Sequence, residues 1–403
     1  MLDLSSPVVY IPTIFFIIVV VFANIIRKDS HKYTHENTKD LPYYDEIALS
    51  MSYLKRNVLP SGRFQYRNNV NPEILYEDYT YNSLRHAGTL YSMYLYEKYE
   101  FEDRYKPERF ISSKYFIDRY VRKLGKDKYI VISDPKEEGI KFPIAKSGAA
   151  GVALCALSNL YKEEEIDLKI LQGLGEFILS MQSEDGNIYA YYDCDKKQIN
   201  KTAEALYYPA QAAVGLLYLY KEDPQEKWLN AAKKAISYII KARKVLNMDI
   251  PFDHWSVLGI EILIKNNLVP EEEIGEMRAY AEQMAISVLS KQITNPKNSY
   301  FGAFQDNIRP CSLGTIMEGL ASIYESINNE QLRKIIFKSI SIGCMFLSKV
   351  QVKTGINAGG LPNSANWVKA GVTPNASVIR IDNIQHVVIG WLKLQNIIKN
   401  YEE

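Results

Sequence analysis

Cysteine is scarce in this sequence, and the positive and negative charges of the chain nearly cancel. Four cysteines stand far apart, with no CxxC pair and no cysteine–histidine pair at metal-ligand spacing: Cys155, Cys194, Cys311 and Cys344. We therefore expect neither a disulfide framework nor a zinc site, and we predict no metal and no cofactor. The formal net charge of the 403 residues is +1, which makes a nucleic-acid partner unexpected.

One long uncharged run stands near the start of the chain. Residues 8–26 (VVYIPTIFFIIVVVFANII) are long enough to cross a membrane as a helix. A basic region before the run and a small-residue cleavage site after it are both missing, which favours an uncleaved anchor over a signal peptide. Arg27, Lys28 and Lys32 follow the run, and this basic flank favours a cytoplasmic domain. We predict a single-pass anchor over 1–28, a polar tether over 29–41 and one domain over 42–403.

Two kinds of helical segment alternate beyond the tether. Amphipathic segments, with apolar residues at helical spacing and charges opposite, are 43–59, 113–125, 168–182, 227–244, 272–292 and 330–351. Segments that are apolar on nearly all sides are 85–96, 147–161, 207–220, 253–264, 312–324 and 382–394. A helix without a polar face must be covered all round. Six outer and six inner helices predict an all-α fold, the (α/α)6 toroid of six helical hairpins.

A glycine-marked or β-like stretch lies between each outer helix and the following inner one. The six stretches are SGRFQY, DKYIVISD, DGNIYAYYD, NMDIPFD, YFGAFQD and GINAGGLP. They share one place in the repeat, so we expect them at one end of the toroid, where the inner helices begin. Six helix N-termini, with their partial positive charges, would converge there around a concavity. The pattern therefore places the site at this end.

One turn carries a family resemblance. The segment FILSMQSEDGNIYAYY (177–192) resembles the Gln-x-x-Asp-Gly turn common in (α/α)6 toroids, and YLKRNVLPSGRFQY (53–66) is a degenerate version. Over about residues 43–396 the sequence resembles, at the level of the fold, six-hairpin glycosidases, uronate lyases and hydrolases, and sugar epimerases. Terpenoid cyclases have a similar turn, but their DxDD motif is absent here, as is the Cys/Cys/His zinc set of lanthionine-cyclase-like toroids. The resemblance implies a carbohydrate-active protein.

Acidic residues near the inner-helix starts are the first candidates for catalysis. Glycoside hydrolysis usually needs two carboxyl groups, one protonated and one ionised, and the candidates are Glu204, Asp253, Glu318 and Asp382. Asp382 and Gln385 also fit a capping box, and Asp253 fits a helix cap. Glu318 lies inside an apolar helix, so it must face the cavity or pair with a buried cation such as Arg309.

Histidines and arginines cluster at the same level of the repeat. His86, His254 and His386 lie near inner-helix starts, although packing is the usual role of a single such histidine. His254 and His386 are further acid–base candidates, since imidazole titrates near neutral pH. Arginine binds carboxylates in a bidentate manner and aromatic rings can stack on sugars. The predicted substrate-binding residues are therefore Arg85, His86, Tyr207, Gln211, Trp255, Asp306, Arg309 and Arg380.

Three functions compete at this point. The first is a membrane-anchored glycoside hydrolase acting on an oligo- or polysaccharide with two carboxyl groups. The second is a uronate epimerase or lyase, with histidine or tyrosine as base and arginine holding the substrate carboxylate. The third is a non-catalytic toroid that binds a glycan or a protein during envelope polymer assembly. The mixed cationic character of the predicted cavity suits an acidic sugar.

Overall fold

Two concentric rings of helices make up the domain. The computed structural model describes residues 40–74, 80–100, 104–164, 166–244, 250–305, 308–367 and 374–402. The outer helices are α1 (Tyr44–Arg56), α3 (Lys106–Tyr120), α6 (Leu168–Ser180), α8 (Glu226–Lys244), α10 (Glu271–Leu289) and α12 (Glu330–Val350). The inner helices are α2 (Ser83–Glu100), α5 (Ser147–Leu160), α7 (Tyr208–Glu222), α9 (His254–Lys265), α11 (Pro310–Ser326) and α13 (Ile381–Glu402). The predicted alternation is confirmed.

The predicted membrane anchor and most of the tether lie outside the described residues. Across the ranges that are described, no helix has both the length and the apolar character needed to cross a membrane.

The inner helices close into a ring because small residues let them approach. Each inner helix packs against the next, and α13 packs against α2. In α5, nearly every residue is buried. A Cβ on Gly151 would overlap the backbone of Gln211 in α7, and one on Gly215 would overlap the backbone of Gly151. The α5–α7 contact therefore depends on two glycines, as the small-residue segments predict.

The outer helices bury one stripe each. In α6 the buried residues include Leu171, Leu174, Phe177 and Ile178, which recur at helical spacing. Lys169 and Glu176 face the solvent side. Burying an apolar stripe of this kind contributes about 25 cal/mol per Å² of apolar surface, which is the main force holding the outer ring on the inner one.

The glycine-marked turns join neighbouring outer helices. Gly186 has φ +105°, which favours glycine, and a Cβ there would overlap the Lys234 carbonyl of α8. The preceding Gln182 donates its side-chain amide to the Gly186 carbonyl (3.1 Å) and to the Ala231 carbonyl of α8 (2.9 Å). Equivalent glycines with positive φ meet the next outer helix at Gly62, Gly302 and Gly359. The Gln-x-x-Asp-Gly turn therefore connects one outer helix to the next.

Short strands occupy the end where the inner helices begin. Strands β2 (Val121–Leu124), β3 (Lys128–Ser133), β4 (Ile144–Lys146), β5 (Tyr191–Asp193) and β6 (Gln198–Asn200) form an antiparallel sheet in chain order. Strand β1 (Arg67–Asn69) pairs with β7 (Val378–Arg380), and a four-residue helix, α4 (Pro135–Glu138), follows β3. Strands β4 and β7 lead directly into α5 and α13.

One predicted helix is shifted along the chain. The segment 113–125 was expected to be helical, but α3 already ends at Tyr120. Residues 121–124 instead form β2, which pairs with β3 through a turn that begins at Gly125, with φ +70°. The backbone hydrogen bonds of β2 are made to β3, which lies further along the chain. Helical spacing within 113–125 could not reveal this pairing.

Candidate active site

Two histidines and one glutamate meet at the centre of the toroid. His254 is the first residue of α9, His386 lies in the second turn of α13, and Glu318 lies in the middle of α11. The ring centroids of the two histidines are 5.3 Å apart and nearly perpendicular. Glu318 Oε2 lies 3.1 Å from His386 Nδ1. The sequence predicted His254 and His386 near inner-helix starts and Glu318 inside an inner helix, and the structure brings these three into contact.

His386 is held in a defined orientation. Its Nδ1–H donates to the Glu318 carboxylate, so Nε2 carries the lone pair in the neutral ring. The Gln385 side-chain amide lies 3.2 Å from that Nε2 and can donate to it, while Thr89 donates to the other end of the same amide (3.1 Å). His386 remains 14% exposed, so it can be reached from the cavity and can accept a proton at Nε2.

His254 is almost completely buried. It is 2% exposed, and neither ring nitrogen has a hydrogen-bond partner among the described residues. Burial lowers the pKa of His254 to about 3, against the opposing effect of Glu318, so the imidazole is neutral at neutral pH. Buried polar groups without partners are rare because they cost free energy. Such a ring is suited to hydrogen bonding or proton transfer with a bound ligand.

Glu318 is an ionised carboxylate. Burial alone would raise its pKa, but His254, the hydrogen bond from His386 and the charge of Lys393 outweigh burial and leave the pKa of Glu318 below its usual value. The alternative partner predicted for it, Arg309, is exposed at the N-cap of α11. Glu318 therefore pairs with histidine rather than with arginine.

A second group, the arginine cluster, is formed by Arg85, Arg380 and Asp382. Arg85 Nε lies 3.1 Å from Asp382 Oδ2 and its guanidinium also contacts the Tyr66 hydroxyl. Arg380 donates from Nη2 to the same Oδ2 at 3.1 Å. The predicted capping box at Asp382 is wrong, because α13 begins at Ile381 and the carboxylate is taken up by arginines.

The two groups lie one helical turn apart. Asp382 and His386 are separated by four residues of α13 and so share a face, with a rise of about 6 Å between them. On the adjacent α2, Arg85 and Thr89 have the same spacing, and Thr89 contacts Gln385. The arginine cluster therefore lies about one helical turn from the histidine pair along α13.

The arginine cluster opens into a cleft of about 310 Å³. The cleft is lined by residues of β1, α2, α4, β7 and the loops beside them, among them Tyr66, Arg67, Tyr81, Asn82, Arg85, Glu138, Asn363 and Arg380. A cleft of this volume accommodates a monosaccharide-sized ligand.

Aromatic and amide side chains surround His254. The ring of Tyr207 packs edge-on against it at 5.4 Å, and Trp255 lies 5.3 Å away. Gln211 is 5% exposed, and its side-chain oxygen has no hydrogen-bond partner in the part of the chain that the structure describes. Trp255 is also buried and contacts Tyr91, so its position favours packing over stacking on a sugar.

His86 lies away from the other two histidines. It is fully buried between α2 and α3, with Nδ1 2.7 Å from the Tyr81 hydroxyl and Nε2 3.0 Å from the Ser112 carbonyl. Phe64 and Phe116 pack against its ring, and burial lowers its pKa to about 3. The sequence correctly predicted that His86 lies near a helix start, but its side chain points outward. This placement argues against the predicted contact with substrate.

Three further predicted residues lie outside the central group, and a fourth is not described. Asp253 is fully buried, caps α9 through the Trp255 and Ser256 amides and pairs with Arg243 at 2.7 Å, so the capping alternative is the one observed. Glu204 and Arg309 are exposed. Asp306 lies outside the described residues.

The same triad could also hold a cation. One ligand atom each from His254, Glu318 and His386 lies within 4.8 Å of the others, and a His₂Glu set is typical of catalytic zinc. However, Glu318 and the His386 Nδ1–H are already hydrogen-bonded to each other, as in a proton-transfer pair.

Comparisons with known proteins establish the fold. The structure is similar to an inactive variant of the α-1,6-mannanase GH76A of Salegentibacter sp. HEL1_6, with TM-score 0.59, 11% identity, and 88% of this chain and 99% of that chain covered. It is also similar to a D-mannose isomerase (TM-score 0.62, 12% identity, 88% and 96% covered) and to cellobiose 2-epimerase of Bacillus thermoamylovorans B4167 (TM-score 0.64, 11% identity, 87% and 98% covered). No family model and no curated protein matches the sequence. The predicted resemblance to (α/α)6 toroids of the six-hairpin glycosidase group is confirmed at the level of the fold.

Arg67 and Gln385 were not predicted as site residues. Arg67 lies in a strand of three residues whose partner is more than 300 residues downstream, so no local pattern indicates its neighbours. Gln385 did carry a signal, its position three residues after Asp382, but that spacing was interpreted as part of a cap.

Proposed function

We propose that this protein is a sugar epimerase or isomerase that moves a proton at a carbon next to a carbonyl group, with His254 and His386 as the acid–base pair. The observation that carries the proposal is the perpendicular contact between these two rings, one oriented by Glu318 and the other buried without a hydrogen-bond partner among the residues that the structure describes. General acid–base catalysis of this kind contributes about 10²- to 10⁴-fold in rate.

The arrangement of the two rings supports the following proton transfer. His386 Nε2 takes the proton from the carbon next to the carbonyl, and the C–H electron pair forms an enediolate with the carbonyl oxygen. The imidazolium so formed is stabilised by the Glu318 carboxylate through Nδ1–H. His254, neutral at neutral pH, hydrogen-bonds to the enediolate. Return of the proton to the opposite face of the same carbon gives an epimer. Return to the former carbonyl carbon, together with transfer of the hydroxyl proton to the former carbonyl oxygen, gives an isomer.

The carboxyl groups support hydrolysis less well. The sequence favoured a glycoside hydrolase, which needs two carboxyl groups on either side of the scissile bond. Of the four candidate acids, Asp253 caps a helix, Asp382 contacts two arginines and Glu204 is exposed, which leaves Glu318. The mannanase relative was made inactive by changing two consecutive aspartates, and this sequence contains no two consecutive aspartates.

We also propose that residues 8–26 anchor the protein in a membrane, with the toroid on the cytoplasmic side. The support is the uncharged run and its basic flank.

Product analysis tests the enzymatic proposal. Purified protein would be incubated with aldoses, ketoses, uronates and α-1,6-mannotriose, and the products separated by chromatography. Epimerised or isomerised sugars of unchanged length are expected. Shorter oligosaccharides in place of such products would support the hydrolase, and binding without any conversion would support the non-catalytic toroid.

A further inference from the structure

Three arginines face one cleft at the end of the toroid where α2 and α13 begin. Arg67 of β1 is directly opposite Arg380 of β7 in their antiparallel ladder, and Arg85 of α2 lines the same cleft. Like charges directly opposite each other across a ladder are destabilising. Such an arrangement favours an anion between them.

The acidic residues of the cleft do not balance these arginines. Asp382 contacts Arg85 and Arg380. The two acids of the described lining, Glu138 and Glu137, are already paired with cations: Glu138 with Lys146, and Glu137 with Arg119. Three guanidinium groups thus face one remaining carboxylate, and the described lining has an excess of positive charge.

Two hydrogen-bond donors of the cleft also lack an acceptor among the described residues. Arg67 Nε is buried and has no hydrogen-bond partner among the described residues. Arg380 Nε lies 3.0 Å from Asp382 Oδ1, but the pair lacks the alignment of a hydrogen bond. Guanidinium donors match the paired oxygens of a carboxylate, a phosphate or a sulfonate. The unmet donors and the excess charge therefore indicate the same class of ligand.

The distance to the histidines sets the size of the rest of that ligand. Asp382, which Arg85 and Arg380 contact, lies about 6 Å along α13 from His386. That span is comparable to one pyranose ring. An oxyanion on the arginines would place the opposite part of a single sugar at the histidine pair.

We propose that the substrate is an anionic sugar whose charged group is bound by Arg67, Arg85 and Arg380. The anion site follows from the cleft alone, and the assignment of the anion to a substrate rests on the proposed epimerase or isomerase function. A uronate carboxylate is the expected group, and a sugar phosphate presents the same chemistry.

Binding measurements test the anion site without requiring turnover. Isothermal titration calorimetry would compare D-glucuronate, D-glucose 6-phosphate and D-glucose on the wild-type protein, Arg67→Gln and Arg333→Gln. Arg333 is a matched control, because its side chain is 30% exposed and pairs with Glu330 on α12. We expect at least one anionic sugar to bind about tenfold or more tightly than glucose, with an affinity that falls as salt is raised. Arg67→Gln should weaken that binding about tenfold or more, and Arg333→Gln should not.

Thermal melting of the same variants distinguishes a binding role from a structural one. Removing one of two opposed charges should leave the melting temperature of Arg67→Gln unchanged or raise it. A lowered melting temperature with unchanged affinity would overturn the proposal, as would equal affinity for charged and neutral sugars. Preference for glucose 6-phosphate over glucuronate supports the site and assigns the anion to phosphate.

The two proposals fail in different ways. Selective binding of glucuronate without conversion of any sugar supports the anion site and contradicts the epimerase or isomerase function. Conversion of neutral sugars with no preference for charged ones supports the epimerase or isomerase function and contradicts the anion site.

Discussion

Replacing Glu318 by Gln tests the pairing at the centre of the site. Glu318 is 1% exposed and contacts His386 at 3.1 Å. The amide keeps the size of the side chain but removes the charge that stabilises the imidazolium. We expect kcat to fall by about 100-fold, the lower end of what general acid–base catalysis contributes, with KM nearly unchanged because Glu318 lies behind His386.

The same substitution has a calculable effect on stability. A hydrogen bond to a charged group contributes about 2 kcal/mol, which for a domain of this size corresponds to about 3 °C in melting temperature. The pKa of Glu318 is lowered in the folded state, so its contribution is present above the unfolded pKa near 4.3 and is lost as the pH falls through the folded value. The difference between wild type and Glu318→Gln should therefore shrink in acid.

Steady-state kinetics and calorimetric melting between pH 3 and pH 8 measure both effects. If kcat of Glu318→Gln is less than threefold lower than that of the wild type, Glu318 does not belong to the proton-transfer group. A stability difference that stays constant across this pH range would refute the stated cause of its pKa shift.

Three further results are expected. Asp253→Ala removes a helix cap and leaves Arg243 without its buried partner, so melting should show a loss of about 3 kcal/mol or more with kcat per folded molecule retained; a selective loss of kcat would place Asp253 in the chemistry. Gly215→Ala inserts a methyl group against Gly151 and should cost about 1–3 kcal/mol by denaturant unfolding, whereas no loss would contradict the close α5–α7 contact. The full-length chain should stay in the membrane fraction after alkaline carbonate washing and a chain starting at Leu41 should not; recovery of intact full-length protein in the soluble fraction would contradict the anchor.

The fold could be predicted because its signal is local and repeated. Each inner segment lacks a polar face and each outer segment has one, and this contrast is visible within a dozen residues. The end of α3 could not be predicted in this way, because strand β2 depends on pairing with residues 128–131.

The site was harder to predict because its contacts join distant parts of the chain. Helical position placed His86, His254 and His386 at one level of the repeat. It did not show that His86 points outward to Ser112 while the other two point inward. The direction of a side chain around its helix depends on which neighbours cover each face.

Solvent exchange is the most direct test of the histidine pair. The protein would be incubated in D₂O with its sugar substrate, and deuterium at the carbon next to the carbonyl followed by nuclear magnetic resonance. We predict incorporation by the wild type and a loss of about 100-fold or more in His254→Asn and His386→Asn, with sugar binding retained. Exchange that continues undiminished in both variants, or cleavage of an oligosaccharide without any exchange, would contradict proton transfer by His254 and His386.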